Sequence, residues 1–565
     1  MKDRMLAAWL LGCALAAGQP PADAPEAAEI VEIPNVEAAI PDPVKALSEP
    51  AMLEFPHGIR MAITAATAEA QAHVLQGLNH LHGGWEFEAS RHFAAAMRAD
   101  PECLLAHWGM VMSLLSPSPE TGPARNAASE RLLHLVDQGK GSELERGYAY
   151  GLIKYIDAGA SGAADAFRKV AEKFPNDIQA GIFAALFGRG GYDELGDRTP
   201  DQENAEKALE AMVTAHPESP LPLNALLTIR AEAPDLASSL ELARKLARMS
   251  PEYAPYQHLL GHYEWRCGNH DRAATAFGRA SSHYNNWMKL NNAAVPDCPE
   301  WVRSECYRIV ALASKGEFDT AYAASRLIAA TPIDPKRLSS PGTRNLLWEA
   351  KTLPARILLR RGLIGNASEA LQSLPNPEEI KATRKHSLAY WWMDGLRFAL
   401  DARRLIEAKD LNGARDTIAA LTLHGENFTK TQKAATTLGE RSQWTRSFRA
   451  LEVLASELRG DLTMAGPKDR IGTAYNWYAS ATDRQHPAVM MFPPMVLTPM
   501  AIHLGEYYLA SGESAKAVEA YQRALTAFPK DMHALVGLKN ASGKAGQAEL
   551  KASAEKQIEE LREGR

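Results

Sequence analysis

A glycine, an alanine twelve residues on, an aromatic four further, an alanine three later and a proline five beyond recur from one end of this chain to the other. The series is Gly77, Ala89, Phe93, Ala96 and Pro101, and again Gly505, Ala517, Tyr521, Ala524 and Pro529. Ala89, Phe93 and Ala96 stand at i, i+4 and i+7, which puts them on one face of a helix, and the proline stops that helix. The glycine belongs to the helix before it, where a missing side chain lets the aromatic ring approach. A helix pair of this kind buries its apolar face only against its neighbours, so the pattern predicts a stack of hairpins.

Looser copies fill the space between. They are Gly151, Ala163, Phe167, Val170 and Pro175; then Ala205, Leu209, Met212 and Pro217; then Ser239, Ala243, Leu246 and Pro251. Gly261, Ala273, Phe277 and Ala280 follow without a closing proline, and Ala414, Ile418 and Leu421 make a weaker copy. A second glycine precedes the small residue by five positions at Gly84, Gly268, Gly316, Gly362 and Gly512, where a left-handed residue is needed to end the first helix of a pair. A period of ~34 residues predicts about nine to eleven helix pairs.

With Tyr508 three residues after Gly505, this set resembles the tetratricopeptide repeat (TPR). In the first hairpin His80 occupies the tyrosine position, a departure that weakens that unit but not the set. The resemblance implies an all-α, right-handed superhelical solenoid of TPR-like helix hairpins. It further implies a concave face that binds a protein or peptide partner and no cofactor.

The expected organisation runs as follows. Residues 1–18 read as an export signal, with Lys2 and Arg4 ahead of the short apolar run Met5 to Leu11. Leu10, Leu11, Gly12 and Cys13 also fit a lipoprotein signal with Cys13 as the lipidated residue, and plain secretion stands beside that reading. Residues 19–55 form an acidic Pro/Ala spacer expected to be disordered. Then come an N-terminal array (56–283), an asparagine-rich inter-repeat loop (284–300), a degenerate array (301–465) and a loop-rich strap (466–500). A C-terminal TPR (501–545) and a polar capping helix (546–565) complete the chain. The strap is marked by Met490, Met491, Phe492, Pro493, Pro494 and Met495, whose prolines forbid a helix through the apolar run.

Composition narrows the function. A formal charge of -6 gives no basic excess with which to neutralise phosphates, so nucleic acid is not an expected partner. Mean hydropathy is -0.27, and beyond the leader no apolar run reaches the ~18 residues of a membrane span, which leaves a lipid on Cys13 as the membrane anchor. Phosphate loops, dinucleotide fingerprints, nucleophile elbows and H-E-x-x-H are all missing, so no enzyme activity is expected. None of the four cysteines outside the leader lies in a C-x-x-C pair.

The best candidate site is His258, His262, Trp265 and Arg266 on the first helix of the Gly261 repeat. By the TPR resemblance these positions line the concave groove, a polar, aromatic and cationic patch for a partner segment. His258 and His262, one turn apart, also have the spacing of a metal-chelating pair, although Leu259 stands where a zincin needs glutamate. His73, His80, His82, His92 and His107 around the first hairpin read as core or rim histidines. The expected function is a non-catalytic interaction or assembly scaffold of a bacterial cell envelope, in the periplasm or as an outer-membrane or cell-surface lipoprotein. A solute- or glycan-binding lipoprotein and a metal-binding protein built on His258 and His262 are the alternatives.

Overall fold

The computed structural model describes residues 33–563, apart from Pro117, residues 194–195, Glu379 and residues 486–488, and apart from the side chains of residues 468–470. The expected export signal, Cys13 and the first part of the spacer lie outside the described residues. Those described form an all-α solenoid of TPR-like hairpins, in which each helix packs on its neighbours in sequence. No helix among them is long and apolar enough to cross a membrane.

The glycine–aromatic rule is visible in the packing. Phe93, fully buried, sits between Gly77 of its own pair and Gly109 of the next, and a Cβ on either would meet its ring at 2.7 or 2.2 Å. Tyr521 is held in the same way between Gly505 and Gly537, with 2.6 and 2.1 Å available. Each ring therefore couples two successive repeats, and the second glycine of the clamp is a feature that pattern reading passed over. The five turn glycines, Gly84, Gly268, Gly316, Gly362 and Gly512, all have φ between 72° and 96°.

Three stretches differ from expectation. The spacer is ordered from residue 33 onward: Ala39, Ile40 and Val44 are buried, Glu37 pairs with Arg98 at 2.8 Å, and Arg131 reaches the Pro34 carbonyl at 2.9 Å. Its few apolar residues are spaced to cover the edge of the first hairpins, which an overall count of acids and prolines does not reveal. The expected loop at 284–300 begins as helix, since helix His270–Leu290 extends into it, and the irregular stretch is confined to residues 291–298 with a short 3-10 turn at Val295–Asp297. Tyr284 and Met288 are buried on one face while Asn286 is exposed on the other, so the asparagines mark a solvated side. Within the 466–500 strap, residues Ala474–Arg484 are helical and only the following segment is irregular.

The array curls until distant repeats touch. Trp287 Nε1 donates to Glu88 at 2.9 Å and Arg91 donates to Asn291 at 2.7 Å, joining residues about two hundred positions apart. At the other end Arg360 pairs with Asp531 in the interior and donates to His533 at 2.8 Å. His270 Nε2 lies 3.2 Å from the Lys530 carbonyl oxygen. Helix Ala548–Glu563 closes the chain, with Lys551 3.8 Å from Glu555 along its outer side.

Candidate functional site

The inside of the curl is a trough walled by helices Ala254–Arg266, Pro299–Lys315, Leu353–Arg361 and Arg441–Ala465, and residues 489–498 run through it. Residues 489–492 make a turn in which Phe492 N–H donates to the Val489 carbonyl at 3.3 Å, and the prolines at 493 and 494 keep the chain from continuing as a helix, which leaves most of its backbone carbonyls to find partners elsewhere. The walls supply those partners. Tyr307 donates to the carbonyls of Val489 and Phe492, the latter at 2.8 Å, and His258 Nε2 lies 3.1 Å from that of Met490. Arg446 donates to Pro493 at 2.6 Å, while Arg356 donates to Pro494 and, at 3.0 Å, to Met495. Arg446 also lies over the Phe492 ring, 4.7 Å from its centre.

Glu349, fully buried, organises the two arginines through contacts of 3.1 Å to Arg356 and 2.9 Å to Arg446. Burial lowers the Arg356 pKa, and the charge of Glu349 works against that. Further along, Arg403 reaches Glu457 at 2.7 Å beside Val496 and Leu497. The space left there beside the strap is about 20 Å³, room for a single water. The trough is filled by the chain itself.

This filling decides the fate of the predicted site. His258 uses both nitrogens, Nδ1 on Ser304 at 2.9 Å and Nε2 on the strap. His262 Nε2 bonds the Ala231 carbonyl at 2.8 Å. Trp265 donates to Ser314 at 3.1 Å, and Arg266 donates to the carbonyls of Ala233 at 2.8 Å and Pro234 at 3.3 Å. Burial holds the pKa of each histidine down to about 3, with the charges of Arg303 and Arg266 adding to the effect. The four residues do line the inner face, but three face neighbouring helices, and His258 faces the strap. His258, Trp265 and Arg266 thus engage the chain itself, whereas the buried His262 Nδ1 has no hydrogen-bond partner among the described residues.

Sequence reading missed Tyr307, Glu349, Arg356 and Arg446, the residues that grip the strap. One signal was present: arginine at 356 inside the apolar run Leu353 to Leu359 implies a buried charge with a dedicated partner. Trp391, Trp392 and Met393 are core residues. Cys103, Cys267, Cys298 and Cys306 are all free thiols.

A tetratricopeptide-repeat family model matches residues 502–531. No curated protein shows significant sequence similarity to the chain. Solved structures similar to it include the human IFIT1 dimer with m7Gppp-AAAA, at 13% identity over 88% of this chain and 91% of that one, TM-score 0.33. Yeast Tom70 is similar at 10% identity over 88% of this chain and 93% of that one, TM-score 0.25. The Cut9 complex with Hcn1 is similar at 13% identity over 74% and 87%, TM-score 0.25. At such scores these similarities carry no argument about what is bound. The chain carries a tetratricopeptide repeat at residues 502–531, the last clear copy in an array built to the same spacing.

Proposed function

We propose that this protein is a non-catalytic binding scaffold, exported to a bacterial cell envelope, whose trough receives an extended, apolar segment of a partner protein. The observation that carries the reading is the row of side chains meeting the carbonyls of Val489, Met490, Phe492, Pro493, Pro494 and Met495. Recognition through backbone carbonyls tolerates many sequences, and the prolines reduce the entropy lost on binding. On this reading the strap is a resident occupant that a partner segment displaces, and Tyr307, Arg356 and Arg446 are the contacts the two share. His258 contributes one further bond. Export rests on the leader, and anchoring rests on Cys13.

The test compares the full-length chain with a strap variant, Phe492→Gly combined with Pro494→Gly, for binding of a labelled peptide equivalent to residues 489–498. Loosening the strap is expected to raise peptide affinity at least tenfold, and Arg446→Gln in that background is expected to reverse the gain. No binding by the folded strap variant sinks the proposal. Cell fractionation, with the mass of the mature N-terminus, tests export and the lipid on Cys13 separately.

A further inference from the structure

The first hairpin holds a group of histidines that the trough does not use. His73 and His80 come from helix Ala68–Gly83 and His92 from helix Glu86–Ala99, and Glu88 lies one turn before His92. His80 and His92 are entirely buried, and their rings stack at 5.2 Å. One nitrogen from each, with one oxygen of Glu88, lie within 4.8 Å of one another.

The hydrogen bonds around His73 and His92 fix where their protons sit. The exposed Glu49 carboxylate, an acceptor only, lies 3.3 Å from His73 Nε2, so that nitrogen donates. With one proton on each imidazole, His73 Nδ1 is then an acceptor and takes the proton of His92 Nδ1, 3.0 Å away. That leaves His92 Nε2 as a bare lone pair, and it has no hydrogen-bond partner among the described residues. His80 Nδ1 is held by the Tyr253 hydroxyl at 3.2 Å, and its Nε2 is likewise without one. Glu88 is fixed by Arg91 at 2.6 Å and Trp287 at 2.9 Å, both donating to Oε2. An unsatisfied buried polar atom costs about 1–3 kcal/mol, and two of them in one cluster with a carboxylate call for a ligand.

We propose that His80, Glu88 and His92 bind one divalent transition-metal ion of the zinc class. Two neutral imidazoles and a carboxylate form a donor set for such an ion. The Tyr253 and His73–Glu49 contacts hold the opposite ring nitrogens, as second partners of metal-bound histidines do. Arg91 opposes a cation, but its ion pair with Glu88 offsets that charge, and Glu49 and Glu69 add two carboxylates nearby. An open cavity of about 390 Å³ lined by Glu49, Glu69, Arg91 and Arg98 adjoins the cluster through Glu49, which contacts His73, and Arg91, which contacts Glu88.

Full-length protein is loaded with cobalt(II) or zinc(II) and passed through gel filtration. One equivalent per chain is expected to remain bound, with a cobalt ligand-field spectrum. His80→Gln, Glu88→Gln and His92→Gln are each expected to weaken cobalt binding at least tenfold, and Glu69→Gln less than threefold. X-ray absorption of the wild-type cobalt complex is expected to count two imidazoles, a readout that needs no variant to fold. No metal retained by the folded wild type, fewer than two imidazoles, or loss confined to Glu69→Gln overturns the proposal.

Discussion

The first and last clear repeats follow one spacing and put it to opposite electrostatic use. In the first, His80 at the tyrosine position and His92 are held uncharged by burial. In the last, burial also works against charge on His503, yet Glu457 at 2.9 Å and Glu506 at 3.2 Å outweigh it and raise its pKa well above the ordinary value. Glu457 stays ionised, its pKa brought to about 2 by Arg403 and His503 against its burial. The hairpin grammar thus fixes distances between helices and leaves the charge state of the interior to the residues between its small and aromatic positions. A helix face that is apolar at Gly, Ala and Phe can carry either a neutral or a charged histidine, depending on whether a neighbouring repeat aims a carboxylate at it.

The comparison can be broken most forcefully at the two aromatic rings. Phe93→Ala is expected to cost about 3–5 kcal/mol in urea unfolding, because the ring fills a fully enclosed space between three helices. Tyr521→Ala, whose ring keeps a little exposure, is expected to cost less and to increase hydrogen exchange only beyond residue 500. Equal losses and equal spread of exchange would show that the array unfolds as one unit and that position along it is immaterial.

Adding a methyl at the facing glycines is the next largest change. Gly77→Ala and Gly505→Ala place a Cβ 2.7 and 2.6 Å from the ring, and each is expected to cost about 1–3 kcal/mol. The first should be the worse, since Phe93 is enclosed and Tyr521 keeps a little exposure. A melting temperature unchanged by Gly77→Ala would contradict the clamp.

Charge on His503 gives a pH signature. Its folded pKa lies above the ordinary 6.5, so its contribution is complete below that value and is lost as pH rises towards the folded pKa. Stability should fall by roughly 1 kcal/mol per pH unit on the alkaline side, up to a limit of ~1.4 for one proton. His503→Gln is expected to lower stability at pH 6 and to flatten that alkaline slope. A variant with the wild-type slope would assign it to other groups.

The smallest effect is expected at the end of the solenoid. Lys551→Ala removes an exposed i,i+4 contact with Glu555 and should change stability by less than about 0.5 kcal/mol. A larger loss would mean that the closing helix is held by its charges more than by Ile558 and Leu561, which are buried against Leu535.

The hairpins were legible because their code is local. Gly77 with Ala89 and Phe93, or Gly505 with Ala517 and Tyr521, specify a contact between adjacent helices, and the turn glycines specify where each helix ends. The spacer and the 284–300 segment were misread because composition records polarity without direction. Val44 and Tyr284 bury themselves by facing a partner many residues away, which no local window contains.

The sequence by itself determined the repeating unit, its length and the small-against-aromatic contact that joins one pair to the next, since each follows from helix periodicity and side-chain size within about one repeat. Tertiary structure alone decided that the curl brings Trp287 to Glu88 and Asp531 to Arg360, that Arg356 and Arg446 meet the strap, and that His80, Glu88 and His92 share one buried space. Those meetings depend on the curvature accumulated over many small packing angles, a sum that nearest-neighbour patterns do not encode.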